Sequence, residues 1–267
     1  MIEELIQIKN KFKFVKFIRF QDDNFFATSK ANIKEFGELY REKIGLPFEA
    51  QGAPDVMTEE KFKFLIDAGL VFTELGIQTG SNRTLKLYKR GTSNEQVEKA
   101  ATMIHKYRGR INVPDYHIIL DNPWETTDDL RETLEMIWKL PKPYNLLISS
   151  LVFYPGTELY EMAKRENLIK DEYGEIYRKH FPVPKGSYLN FIFYLSTYNN
   201  FPRTVLRSLC TKKLVSFLHR ERFCRFFAFL QKTVDFVRKA ERGFGALLSG
   251  DIKMNIRYLR RVFSFWK

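Results

Sequence analysis

The stretch FIRFQDDNFF, residues 17–26, sets Asp22 and Asp23 side by side, directly after an apolar β-rich run and next to Phe25 and Phe26. Adjacent carboxylates repel each other, so their placement asks for a reason. Comparable polar clusters follow other apolar runs. They are Gln21-Asp22-Asp23-Asn24, Glu49-Ala50-Gln51-Gly52, Gly76-Ile77-Gln78-Thr79-Gly80-Ser81, Asp121-Asn122-Pro123-Trp124-Glu125-Thr126 and Tyr154-Pro155-Gly156-Thr157. Their carboxylates, amides and glycines suit ionic and hydrogen-bonding recognition of a ligand. Turn formation accounts for any one such cluster, but five in succession form a pattern. Nucleophilic and metal chemistry find no support. His105, His117, His180 and His219 lack metal-ligand spacing, and no Ser–His–Asp or Cys–His arrangement stands out. No residue is assigned a catalytic role.

Each cluster needs an element to position it. FVKFIRF, LPFEAQG, VFTELGIQTGS, VPDYHIIL and NLLISSLVF read as strands. SKANIKEFGELYREKIG, TEEKFKFLIDAGL, SNEQVEKAATMIHKYRG, ETTDDLRETLEMIWKL and GTELYEMAKREN read as helices, with Ser and Thr caps and a Gly stop at Gly69. Five β–α units in succession predict a parallel sheet wrapped by helices. No glycine-rich dinucleotide fingerprint or phosphate loop follows the first strand, which favours a barrel-type α/β fold over an open nucleotide-binding sheet. In such barrels the chemistry sits at the strand C-termini, where the polar clusters fall.

The chain has 267 residues, 44% of them apolar, enough for a sizeable core. No uncharged apolar window reaches membrane-spanning length, and the start, MIEELIQIKNKFKF, lacks a leader pattern, so the expectation is a cytoplasmic protein. Cys210 and Cys224 are too few for a disulfide framework. The net charge of +12 is uneven: residues 180–267 hold 17 Lys and Arg against 4 Asp and Glu, and residues 1–179 hold 27 against 28. A near-neutral body, 1–178, thus precedes a basic, aromatic-rich helical region, 179–267.

The segments RFQDDNFF, FEAQG, ELGIQTGSNRTLKLYKRG, IILDNPWETTDDLRETL and LVFYPGTELYE resemble the later part of radical S-adenosylmethionine enzymes, in particular the group with an upstream cobalamin-binding domain. The resemblance covers roughly residues 10 to 170. It implies an α/β fold, a TIM-like partial (β/α) barrel with five of the family's six units. It also implies S-adenosylmethionine as cosubstrate, with radical-initiated chemistry, methylation or rearrangement, on an unknown substrate. Carried over by position, Asp22 and Asp23 would face the methionine ammonium, and Glu49 would stand as an acid near the cosubstrate. Gln78 would meet the ribose hydroxyls, and Arg90 the methionine carboxylate, for which a guanidinium fork is suited. Asn122 and Pro123 would shape backbone contacts with the adenine, and Tyr154, with Pro155 and Gly156, would form its wall. Each has a plainer reading as a turn, cap or surface residue. His117, where some relatives carry an acid, reads as a hydrogen-bonded core residue.

One departure is severe. The family's first unit carries a CxxxCxxC loop whose three thiolates hold a [4Fe–4S] cluster, and that motif is missing. No metal ligands are therefore assigned to this chain, and cobalamin would need a further domain. Two readings follow: the downstream part of a longer or split enzyme, with an upstream segment or companion chain supplying cluster and cobalamin sites, or a non-catalytic binding or scaffold module on a repurposed barrel. In the basic region, Leu214, Phe217, Leu218, Phe226, Phe229 and Leu230 recur at helical spacing. This suits packing on the body, contact with a membrane surface, or docking on an acidic partner; nucleic acid is the weakest of these.

Overall fold

The computed structural model describes residues 1–177 and 183–248, and the chain divides into two compact units, Met1–Pro184 and Lys185–Lys267. In the first unit β1 (Ile18–Arg19), β2 (Phe48–Gly52), β3 (Leu70–Gln78), β4 (Asp115–Leu120) and β5 (Asn145–Ser150) pair in sequence order, all parallel. The sheet curls into a half-barrel of the expected kind. Helices α1 (Ile2–Lys11), α2 (Lys30–Lys43), α3 (Glu59–Ala68), α4 (Asn82–Leu87), α5 (Asn94–Lys106), α6 (Thr127–Lys139) and α7 (Glu158–Arg165) accompany it.

The local chemistry explains the boundaries. Ser29, Thr58, Ser81, Ser93, Thr126 and Thr157 each accept a hydrogen bond from a backbone N–H of the first turn that they cap, satisfying donors that a helix leaves open. Ser93 with Gln96, and Thr126 with Asp129, form full capping boxes. Gly69 ends α3 at φ +117, a region that a Cβ disfavours. Strands β2 and β4 alternate strictly. Phe48, Ala50 and Gly52, like Tyr116, Ile118 and Leu120, are buried, while Glu49, Gln51, Asp115 and His117 between them are partly open. The buried set meets the helices. Phe48 packs edge-on to Phe20, Phe36 and Tyr40, and Tyr116 stacks on Tyr144 beside buried Trp138. The opposite, inner face is therefore polar.

Three elements differ from the sequence expectation. The first strand shrinks from FVKFIRF to the two residues Ile18–Arg19, because as an edge strand it has one neighbour to pair with. Helix α1 was not anticipated. It buries only Leu5, and its Lys9 ammonium caps the carbonyl of Ile44 at the end of α2. The six-residue α4 falls where the sequence reading assigns no element.

In the second unit α8 (Tyr188–Ser196) is almost wholly buried, and α9 (Arg203–Leu209), α10 (Lys212–Leu218) and α11 (Cys224–Leu248) complete it. The expected apolar stripe does not form the packed face. Val215 and Phe227 are buried, whereas Leu214, Phe217, Phe226 and Phe229 are exposed. Burial on α8 selects Phe227, whose ring meets Tyr188 and Phe191, and so turns its neighbours outward.

Candidate functional site

Three layers of polar residues can be followed from the strand tips downward. At the tips, Arg90 donates to the Gly76 carbonyl at 3.1 Å. Gly76 is closely covered: a Cβ there would stand 3.0 Å from Gln78 Nε2, 3.9 Å from the Gly52 carbonyl and 4.0 Å from an Arg90 nitrogen. Gln78, Arg90 and the end of β2 thus meet over one glycine. Gln51 Nε2 donates to the Asp22 carbonyl at 2.9 Å, tying the loop after β1 to the tip of β2. The backbone here is unusual. Gln78 (φ 71) and Asp121 (φ 59), at the ends of β3 and β4, are two of the four non-glycine residues with positive φ among the described residues, and a third, Lys89 (φ 52), ends α4. Such conformations are uncommon outside glycine and gather where function over-determines the chain.

The second layer joins the two longest motifs. Asp129 on α6 accepts from Ser81 Oγ at 2.5 Å, Thr126 N at 2.7 Å, Thr126 Oγ1 at 2.6 Å and the Arg83 guanidinium. Burial pushes its pKa up, but the donors of Arg83, Ser81 and Thr126 outweigh this and hold it well below the usual carboxylate range. Thr133 Oγ1 accepts from Gly80 N at 2.9 Å and lies 3.0 Å from Thr79 Oγ1. Glu125, beside them, is different. Thr79 Oγ1 reaches it at 3.4 Å, and Thr84 Oγ1 lies close without a hydrogen bond of normal geometry. Burial pushes Glu125 up to about 7, with Asp129 adding to the effect. Asn122 is buried, its Oδ1 accepting from Trp124 N at 3.0 Å.

The third layer lies lower on the inner face and spans all five strands. Arg19 on β1 bridges Glu49 on β2 and Glu74 on β3, the latter at 2.6 Å. Glu74 also pairs with His117 Nε2 on β4 at 2.8 Å, and Asp115 on β4 accepts from Asn145 Nδ2 on β5 at 2.8 Å. The His117 hydrogen bond lowers the Glu74 pKa, against the effect of burial. Burial raises that of Glu49, which the Arg19 charge only partly offsets.

The structure brings Gln78 and Arg90 together and ties the Asp22 backbone to the same rim. It places the other candidates differently. Glu49 stands near the start of β2, in the lower layer, because the strand begins at Phe48. The Asp22 and Asp23 side chains and Pro123 are exposed. Tyr154 lies four residues beyond β5, largely exposed, and its carbonyl caps α7 through Thr157. His117 is hydrogen-bonded as read, yet it faces the partly open inner side and not the core. Sequence reading passed over Arg19, Glu74, Asp115 and Glu125. A charge inside an otherwise apolar strand, as in VFTELGIQ, was the available signal.

The Radical SAM superfamily model matches residues 1–137. The chain belongs to the radical SAM superfamily. Among curated relatives, a tRNA uridine(34) acetyltransferase of Methanocaldococcus infernus is 31% identical over 114 residues, which make up 42% of this chain and 21% of the relative. An uncharacterized protein of Methanocaldococcus jannaschii is 32% identical over 140 residues, 51% of this chain and 42% of the relative. The chain thus spans well under half of these relatives. A solved structure, apo OxsB, described as a cobalamin-dependent S-adenosylmethionine radical enzyme, matches at a TM-score of 0.57 with 15% identity, covering 98% of this chain and 52% of that one; it is similar in fold.

The chain's own residues do not fit the superfamily's iron–sulfur cluster. Cys210 is buried and Cys224 half-buried, both in the second unit, and no cluster of three metal-ligating side chains occurs among the described residues. At the strand tips the Arg90 guanidinium and the Gln78 amide stand within reach of one glycine, Gly76. No helix among the described residues is long and apolar enough to cross a membrane.

Proposed function

We propose that this chain is the downstream barrel of a radical S-adenosylmethionine enzyme and binds that cosubstrate across the tips of β1 to β4. The observation that carries the reading is the meeting of Gln78 and Arg90 over Gly76, with positive-φ backbone at Gln78 and Asp121. Arg90 is half-buried, and burial lowers its pKa; a guanidinium stays protonated in proteins, so it is a cation that a carboxylate would satisfy. Gln78 would donate and accept at sugar hydroxyls. Asp22 and Asp23, exposed on the same rim, would neutralise an ammonium and lose their mutual repulsion on binding. When bound beside a reduced cluster, the cosubstrate supplies a 5′-deoxyadenosyl radical; the cluster thiolates would come from another segment or chain. The relatives' names include tRNA-modifying enzymes, but the substrate of this chain is left open. A binding module without catalysis is the second reading, favoured by the placement of both cysteines outside the barrel.

The test is calorimetric titration of the purified chain with S-adenosylmethionine. Binding that Arg90→Lys weakens about tenfold, through loss of the two-pronged carboxylate contact, supports the reading. Absence of binding, or binding indifferent to both Arg90→Lys and Gln78→Ala, overturns it. Anaerobic reconstitution followed by iron counting separates the second question: cluster formation on this chain alone would refute the need for external thiolates.

A further inference from the structure

The second unit carries a surface unrelated to the barrel site. On α11, Phe226, Phe229, Phe236 and Val237 are 56%, 67%, 50% and 43% exposed. Their spacing of three, seven and one residues keeps them on one side of a helix. The opposite side is the packed one, where Phe227 and Gln231 are buried against α8, and Gln231 Nε2 donates to the Lys185 carbonyl at 3.2 Å. Exposed Phe217 on α10 contacts Phe223 at 5.9 Å, and Phe223 meets the packed Phe227 at 6.5 Å. Arg222 covers both Phe217 and Phe223, and Arg225 and Lys232 are exposed on the flank. The helix is thus apolar on two faces, and among the described residues only one has an occupant.

The charge narrows the missing occupant. Residues 185–237 hold nine Lys and Arg against Glu221 and Asp235 alone. A second copy of the chain would bring Arg222, Arg225 and Lys232 against themselves. Residues 249–267, with five Lys and Arg against Asp251, carry the same sign. An anionic surface remains. A nucleic acid would need donors at the centre of the face. There the centre is phenylalanine and valine, and Thr233 Oγ1 between them already donates to the Phe229 carbonyl at 3.1 Å. Apolar centre and basic flank are the pattern of a helix lying in a bilayer interface, its rings among acyl chains and its cations at the headgroups. We infer that the Phe226–Val237 face of α11 docks in the plane of an anionic membrane surface.

The experiment is co-sedimentation of the full chain with phosphatidylcholine vesicles, with and without phosphatidylglycerol, at low and high salt. Binding to the anionic vesicles, weakened by salt, is expected. The variant Phe226→Ser/Phe229→Ser/Phe236→Ser should reduce partitioning about a hundredfold or more, from the apolar area it withholds. Arg225→Gln/Lys232→Gln should reduce it about thirtyfold, at roughly one kcal/mol per charge. Both variants are checked for unchanged circular dichroism, and the second alters only exposed charges, so a folding failure of the first leaves the test intact. Equal binding to neutral and anionic vesicles, or none, overturns the inference. So does a dimer that the phenylalanine variant dissociates, a phenylalanine-dependent shift with RNA in place of vesicles, or a change in Trp266 emission in buffer on Phe229→Ser, which would assign the face to the chain's own C-terminal segment.

Discussion

Replacing Glu125 by glutamine should stabilise the first unit at alkaline pH and leave it unchanged in acid. In the folded protein burial holds this carboxyl at about 7, against an ordinary value of 4.5. Below about pH 4 the group is protonated whether the chain is folded or not, and it costs nothing. Between 4.5 and 7 the folded chain keeps a proton that the unfolded chain has released, so stability falls as pH rises. Above 7 the buried carboxylate is ionised, and the full difference applies, about 3 kcal/mol. Glutamine does not titrate, and its amide can donate to Thr84 Oγ1, which lacks a hydrogen bond of normal geometry. The gap between variant and wild type should therefore open from near zero at pH 4 to about 3 kcal/mol in favour of the variant at pH 8. Denaturant unfolding across this range, followed by the fluorescence of Trp124 next to the site and of buried Trp138, measures it. A gap that does not change with pH, or a variant weaker than wild type at pH 8, would refute the assignment of Glu125 as a buried neutral acid.

Arg19→Met removes the cation between Glu49 and Glu74. Arg19 is more than half exposed, so the cost in urea unfolding at pH 7 should be only about 1–2 kcal/mol. The folded-state pKa of Glu74 is lowered, first by its His117 hydrogen bond and in smaller part by Arg19, so the share of the cost that runs through Glu74 is fully present above the ordinary carboxylate value and is lost as pH falls from there through the lower folded value. Gly80→Ala forces a methyl group to within 2.9 Å of Thr133 Cα and Met136 Cβ. It should cost about 1–3 kcal/mol by thermal unfolding and loosen the junction of the β3 end with α6. Thr126→Ala removes both a cap and one donor to Asp129, and should lower stability by about 1–2 kcal/mol in the same assay.

Much of the first unit was legible because its signals are local. Capping residues, Gly69 and strict alternation over DYHIIL act within a few residues of themselves, so they mark the same boundaries in sequence and structure. FVKFIRF misled because pairing depends on a neighbour: the apolar, β-rich composition is present, but an edge strand with one partner keeps only two residues in the ladder. α1 escaped notice because its burial rests on a single side chain, Leu5, and the helical spacing of IEELIQIKNK was masked by charge.

What the sequence determined by itself was the order of five β–α units, the polar character of their tips and the placement of the positive charge in the last third. Only the tertiary structure decided which polar residues share a site. Arg19, Glu49, Glu74 and His117 come from four strands and meet because parallel register sets them side by side on the inner face. Gln78 and Arg90 meet because the chain turns back over Gly76. It also decided which side of α11 is inside. The helix carries apolar residues on two faces, and periodicity cannot choose between them; packing against α8 does.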